Sequence, residues 1–326
     1  MQFDKPFLQL PRRYDAEVMA REIGALPAAA WVPHPGKLPG NDAVLLITPE
    51  GELTNTFTGP MLPTEFLHSC PYLMEIMADL GATWGRSRLM GLAPGGEVPK
   101  HFDLNYYWRT HIRVHVPIVT NPSVEFMCDD ETIHMAPGEC WVFDTFRPHR
   151  VRNGGSEKRV HLVLDTVGGE GFCKIIDEAR AGAAPPAQAM KPGTIPASGN
   201  IRYENINTPT VMSPWEVRCH SRYLLDRVAS SSPVVAAVTQ RLDRFGDEWM
   251  GIWSNAGAAE DAYPDYRRLV AAVQADLRAL GAEAVLLNNS SPLLRALSES
   301  IFKYAVPAAS DPLEFGGAAM LQRLAS

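Results

Sequence analysis

No apolar run among the 326 residues reaches the ~18 positions that a membrane-crossing helix requires, so a spanning helix is not expected. The opening Met1-Gln2-Phe3-Asp4-Lys5-Pro6 lacks the apolar stretch of a signal peptide. Positive charge is not in excess. Thirty Lys and Arg against 37 Asp and Glu give a formal charge of -7 with no basic stripe, and a nucleic-acid partner is therefore not expected. Cysteine is sparse: Cys70, Cys128, Cys140, Cys173 and Cys219 are odd in number, scattered and free of any C-x-x-C pair. That usage excludes a secreted disulfide framework and leads to the expectation of buried thiols in a reducing cytoplasm. There is no G-x-S-x-G, no phosphate loop, no charge block and no internal repeat, which removes the simplest hydrolase and nucleotide-binding readings. Disorder throughout is excluded as well, because 46% of residues are hydrophobic and only 21% are charged.

What is present divides into three stretches. The N-terminal part reads as mixed. A helix is predicted after Asp15, with Val18, Met19, Ile23 and Leu26 inward, and another after Pro71, with Leu73, Ile76, Met77 and Leu80 before Gly81. From Arg88 to Asp165 the period becomes two. The segments His111–Val116, Val124–Met127, Thr132–Met135, Cys140–Phe143 and Val160–Leu164 are separated by turn residues, among them Ala136-Pro137-Gly138-Glu139. Short strands at such regular spacing predict a sandwich or barrel. Residues 181–200 are rich in Ala, Pro and Gly and read as a linker or surface strap. Beyond them the period is helical. Ser213-Pro214-Trp215-Glu216 carries a capping box, and apolar faces follow at Val234, Val238, Leu242, Phe245, Trp249 and Ile252, at Tyr266, Leu269, Val273, Leu277 and Leu280, and at Leu293, Leu294, Leu297, Ile301 and Tyr304. The expected organisation is 1–180 as a strand-rich domain, 181–200 as a linker and 201–326 as a helical subdomain.

The chemistry concentrates in the strand-rich stretch. Six of nine histidines lie between residues 101 and 161. His101-Phe102-Asp103 places an imidazole and a carboxylate two residues apart, on one side of an extended backbone. His149 is the natural third ligand. Two histidines and one carboxylate are the ligand set of non-haem iron(II) oxygenases. His111, Arg113 and His115 alternate with Ile112, Val114 and Val116, the reverse of ordinary core patterning. Burying those polar groups costs several kcal/mol unless an anion, a metal or a charged side chain receives them. Arg159, ten residues after His149, heads a strand from which its guanidinium would fork onto a carboxylate.

The run His101-Phe102-Asp103, Arg113-Val114-His115-Val116-Pro117-Ile118, His134-Met135-Ala136-Pro137-Gly138-Glu139, Phe143-Asp144, His149 and Arg159 resembles the aspartyl/asparaginyl β-hydroxylase family. The bacterial L-proline cis-hydroxylases are similar over the same stretch, residues 85–168. The resemblance implies an α+β fold: a double-stranded β-helix, or jelly roll, preceded by N-terminal helices and followed by an appended C-terminal helical subdomain. It implies Fe(II), 2-oxoglutarate and O2 as cofactor and cosubstrates, and an amino-acid or peptide substrate. Carried over by position, His101, Asp103 and His149 would bind iron. Arg159 would hold the distal carboxylate of 2-oxoglutarate, with Arg113 and His115 near its metal-binding end. The vertebrate members lack a carboxylate two residues after the first histidine. Asp103 therefore leans toward the bacterial small-molecule branch and away from halogenases, where Gly or Ala stands there.

His111, Asn105, Tyr107, Trp108 and Arg147 are candidate substrate contacts. An Arg–Asp pair remains open for Arg113, and a satisfied core histidine is the reading for His161. His134 and Asp144 read as structural, and His34, His68 and His220 as surface or packing residues. The expected activity is hydroxylation of an unactivated carbon with release of succinate and CO2. A desaturase or epimerase on the same scaffold, and a jelly-roll protein that binds metal or a small acid without turnover, are the alternatives.

Overall fold

Among the described residues, thirteen strands organise the first part of the chain, and the reason is visible in their alternation. The computed structural model describes residues 3–34, 38–196, 201–207 and 210–307. Its strands are β1 (Phe7–Arg13), β2 (Val32–Pro33), β3 (Asn41–Pro49), β4 (Met61–Pro63), β5 (Thr83–Leu92), β6 (Glu97–His101) and β7 (Ile112–Val119). They continue with β8 (Val124–Cys128), β9 (Glu131–Ile133), β10 (Glu139–Phe143), β11 (His149–Asn153), β12 (Arg159–Gly168) and β13 (Arg202–Tyr203). The larger sheet runs β1-β10-β7-β12-β5-β3-β2, with β4 on β3 and β13 on β5. The smaller runs β6-β11-β8-β9. Every pairing is antiparallel except β13 with β5. Non-consecutive neighbours in two antiparallel sheets are the mark of a jelly roll.

The larger sheet has two unlike faces. Val114, Val116 and Ile118 of β7 join Val160, Leu162 and Leu164 of β12 in one buried cluster with Met19, Ile23, Leu73, Ile76, Met77, Phe172 and Ile176. Those partners come from helices Ala16–Gly24, Pro71–Leu80 and Glu170–Arg180, so the apolar face is covered by helices. The opposite positions are the polar ones, Arg113 and His115 on β7 and Arg159, His161 and Asp165 on β12. A second apolar cluster, containing Phe7, Phe126, Cys128 and Phe143, bridges the two sheets. The first helix is capped by the Asp15 side chain, and the second stops at Gly81 with φ 61°. Both match the sequence prediction.

The chain forms two compact units. One contains the described parts of Met1–Phe102 and Thr110–Asn207, the other Asp103–Arg109 and the described part of Thr208–Asp311. They differ from the expected boundaries in two places. Residues 201–207 belong with the strands, because β13 adds to β5, and residues 103–109 belong with the helices. The strap reading of 181–196 has physical content: Met190 N donates to Arg13 O, and Gly193 N donates to Glu75. Residues 197–200 of the expected linker and 308–326 of the expected helical subdomain lie outside the described residues.

In the helical unit, helix Pro214–Leu225 begins with the complete capping box of Ser213 and Glu216. Helices Pro233–Ala256, Tyr263–Ala279 and Leu293–Leu297 follow, the last continuing into a π-helical turn over Ser298–Phe302. Three apolar positions depart from expectation. Val234 and Leu280 lie on the surface, and Val270 rather than Leu269 completes the buried stripe of its helix. Cys173 and Cys219 are exposed, whereas the other three thiols are buried as expected. Among the described residues no helix is long and apolar enough to cross a membrane.

Candidate metal centre and buried arginine

Strands β6 and β11 lie antiparallel with His101 directly opposite His149. The imidazole rings sit 4.2 Å apart between centroids. Ligating atoms of His101, Asp103 and His149 all lie within 4.8 Å of one another, a group able to hold a metal ion. The tautomers suit that task. His101 Nδ1 is 2.8 Å from Pro99 O and His149 Nδ1 is 2.9 Å from Arg147 O. A carbonyl oxygen only accepts, so each Nδ1 carries the proton and each Nε2 keeps its lone pair for a metal. Burial holds His149 well below its ordinary pKa, and the neighbouring His101 lowers it further, so it is a neutral ligand. The donor set fits a divalent iron site of the two-histidine, one-carboxylate kind.

The inner face of the larger sheet carries the second feature. Arg159 is only 5% exposed, and its Nε is buried with no hydrogen-bond partner. Among the described residues no carboxylate pairs with it. Its Nη2 donates to His161 Nδ1 at 2.7 Å. Burial alone pushes the Arg159 pKa down to about 9, the effect of a cation without an anion. Nearby, Nε2 of His115 and Nε2 of His161 are also buried without partners. The two Nδ1 atoms of this histidine pair are 3.4 Å apart. Phe126 and Phe143 stand edge-on to His115, each with its ring centroid 5.4 Å away, and form an apolar wall. Phe143 also contacts the His149 ring, at 4.9 Å.

The other sequence candidates are engaged differently. Arg113 forms a two-point bond to Asp165, directly opposite it in the ladder, at 2.9 and 3.2 Å. Arg86 Nη2 lies 3.8 Å from the same carboxylate. These arginines hold Asp165 below its usual pKa despite its burial. The Arg–Asp pair left open at the sequence level is thus present. His111 Nε2 meets Glu204 Oε2 at 3.1 Å. Arg147 binds the carboxylates of Asp129 and Asp144. His134 Nδ1 donates to Val124 O at 3.2 Å.

Asn105, Tyr107 and Trp108 fall in the segment packed within the helical unit. Asn105 Nδ2 donates to Tyr304 Oη at 2.7 Å, and Asn105 Oδ1 accepts from Tyr107 N at 2.9 Å. Tyr107 and Trp108 contact each other edge to face at 5.0 Å. Tyr106 N donates to Glu299 O, and the Tyr106 ring stacks on Tyr304. His161, read from the sequence as a core histidine, is buried and accepts from Arg159 Nη2.

Fold and site together define a jelly-roll protein with a two-histidine, one-carboxylate group and a buried arginine that pairs with no acid among the described residues. Residues 58–168 match the model of the aspartyl/asparaginyl beta-hydroxylase family, the resemblance read from the sequence. An L-proline cis-4-hydroxylase from Rhizobium meliloti (strain 1021) is 27% identical over 119 residues, which is 36% of this chain and 42% of that protein. The chain therefore spans under half the length of that relative. A 2OG-Fe(II) oxygenase family oxidoreductase from Burkholderia pseudomallei is similar in structure with a TM-score of 0.40 and 15% identity, over 52% of this chain and 88% of that one. A cupin domain from Bordetella pertussis is similar with a TM-score of 0.21 and 19% identity, over 25% of this chain and 79% of that one.

Proposed function

We propose that the chain is an Fe(II)- and 2-oxoglutarate-dependent dioxygenase that hydroxylates an unactivated carbon of an amino acid, free, tethered or peptidyl, releasing succinate and CO2. The observation that carries this reading is the buried Arg159 guanidinium, which no acid among the described residues neutralises, in a chain that also brings His101, Asp103 and His149 within 4.8 Å of one another. A permanent cation kept in that condition is costly unless a ligand brings the anion. A dicarboxylate with one end on the metal and the other on Arg159 meets both needs.

Bound iron(II) supplies the activation of dioxygen, coupled to oxidative decarboxylation of the cosubstrate, that lets an unactivated C–H bond be oxidised. The chain's own part is binding and positioning. His101 and His149 present Nε2 because their Nδ1 protons are held by backbone carbonyls, and Asp103 adds the negative charge that favours a divalent ion. Arg159 forks onto the distal carboxylate. Phe126 and Phe143 keep the histidine side of the pocket apolar, which strengthens that ion pair. Arg113 is anchored by Asp165, so it contributes a fixed rather than a mobile positive charge. The similarity to an enzyme named for proline hydroxylation supports an amino-acid substrate.

The test incubates the protein with iron(II), 2-oxoglutarate, oxygen and pooled amino acids and short peptides, with His101→Ala and Asp103→Ala as controls. Succinate together with a product one oxygen atom heavier, both lost in the controls, is expected. A product two hydrogens lighter would move the reading to a desaturase. Wild-type protein that binds neither iron(II) nor 2-oxoglutarate would overturn it.

A further inference from the structure

Two side chains of the metal group are held by the sheet, and the third is not. His101 and His149 stand opposite each other in the β6–β11 ladder. Asp103 lies two residues past the end of β6, on irregular backbone. A ligand carried by irregular backbone keeps its geometry only if something else fixes the chain that bears it.

The residues after Asp103 are fixed one by one. Ser300 Oγ donates to Leu104 O at 2.8 Å. Asn105 Nδ2 donates to Tyr304 Oη at 2.7 Å, and Tyr106 N donates to Glu299 O at 3.0 Å. Leu104 is 2% exposed and Ser300 is 1% exposed, so the hydroxyl serves a carbonyl that is shut away from water.

The turn that offers these groups departs from regular helix. Ser298–Phe302 is π-helical, with bonds that reach back five residues instead of four. Lys303 N donates to Ser298 O, and Tyr304 N donates to Ile301 O. An α-helix continued through the same residues would spend Glu299 O on Lys303 N. The wider turn leaves that carbonyl for Tyr106 N. The shift in helical register and the clamp on residues 104–106 are therefore one feature.

We infer that Ser300 and its π-helical turn position the metal ligand Asp103: by holding Leu104 O and Tyr106 N they fix the backbone from which Asp103 presents its carboxylate, and so set the affinity for the divalent ion. The inference rests on the reading of His101, Asp103 and His149 as metal ligands. It adds positioning residues that lie outside the family match over residues 58–168. Linkage makes the effect reciprocal, so a bound ion stabilises the turn that holds its ligand.

The experiment measures zinc(II) affinity of the full chain by calorimetry against a competing chelator. Its variants are Ser300→Ala, Tyr304→Phe, Asp103→Ala and the Ser300→Ala, Asp103→Ala double substitution. Zinc is redox-inert and binds imidazole firmly enough for two histidines to retain it without the carboxylate. Ser300→Ala is expected to weaken zinc binding about ten- to a hundredfold, the usual effect of removing a group that orients a ligand, and Tyr304→Phe to weaken it less. In the Asp103→Ala background the Ser300 substitution should change affinity by less than about twofold, because its effect passes through that carboxylate. Tyr266→Phe is the control: it removes another hydroxyl-to-carbonyl bond of the helical unit, to Gly257 O at 2.7 Å, and should lower stability while leaving zinc affinity unchanged.

Ser300→Ala and Tyr304→Phe proteins that both bind zinc as wild type does overturn the inference, as does a Ser300 effect that persists undiminished without Asp103. Amide exchange in wild type needs no variant to fold. Zinc should slow exchange at Tyr106 N–H and over residues 298–304, and unchanged exchange at both places overturns the inference. Wild type that binds no zinc, or binds it no better than Asp103→Ala, instead overturns the metal-ligand reading itself.

Discussion

Arg159 and Arg113 show how differently two arginines of one sheet face can be held. Its guanidinium is held in the interior at a pKa pushed down to about 9, with a histidine nitrogen as its hydrogen-bond partner and no carboxylate. Arg113, on the neighbouring strand, has the reverse arrangement, a two-point bond to Asp165. The proposed cosubstrate role falls on the first arginine, while the second is held by the protein itself. Removing the first should therefore trade function for stability. Arg159→Met is expected to raise the stability of metal-free protein by about 1–4 kcal/mol, because an uncompensated buried charge is replaced by an apolar chain of similar length. The same substitution should abolish the thermal shift that 2-oxoglutarate gives the iron-loaded protein. Calorimetric melting of both forms checks this; a clear drop in metal-free stability would mean that Arg159 serves the fold rather than a ligand.

Turn and cap positions set the elements that carry these side chains. Gly138 joins β9 to β10 with φ 77°, and a Cβ there would meet Tyr14 O at 2.1 Å. The close approach is used: Tyr14 N donates to Gly138 O at 2.8 Å, and Gly138 N donates to Pro117 O at 2.9 Å. Gly138→Ala should cost ~1–3 kcal/mol from backbone strain alone, with the clash adding to it, read as a lower urea midpoint. Ser213→Ala removes one half of a capping box and should cost about 1 kcal/mol. Here the denaturation midpoint of the helical unit is the measurement, and an unchanged value would contradict the cap. Both motifs were legible in the sequence because a tight turn and a helix start depend on residues within four positions of each other.

At the scale of the molecule, buried neutral histidines make stability depend on pH. Burial holds His115 and His161 well below the ordinary imidazole pKa, and His220 in the helical unit is pushed down to about 4. A base whose pKa is lowered by folding takes up its proton first in the unfolded chain. The stability it contributes is therefore present above about 6.5 and declines as pH falls below that value, for His220 down to about 4. Each such group steepens the decline by about 1.4 kcal/mol per pH unit. Metal-free protein should show a melting temperature that is level above pH 7 and falls steeply between pH 6.5 and 5. A melting temperature that stays level through that interval would show that these rings reach water or are already charged in the fold.

Local chemistry was read well from the chain alone. The helix after Asp15, the stop at Gly81, the capping box at Ser213 and the strands flanking His115, Trp141 and Arg159 all rest on spacings of two to four residues. The His-x-Asp step and the polar face of β7 were legible for the same reason. Tertiary structure decided what depends on distant partners. The opposition of His101 and His149, the capture of Arg113 by Asp165 and the lack of an acid for Arg159 among the described residues follow from strand register, which no short-range pattern specifies. It also decided that residues 103–109 pack within the helical unit and that β13 returns to β5. His161 marks the boundary between the two: its alternation with Arg159 was written in the sequence, but its burial and its hydrogen bond from Arg159 Nη2 came from the fold.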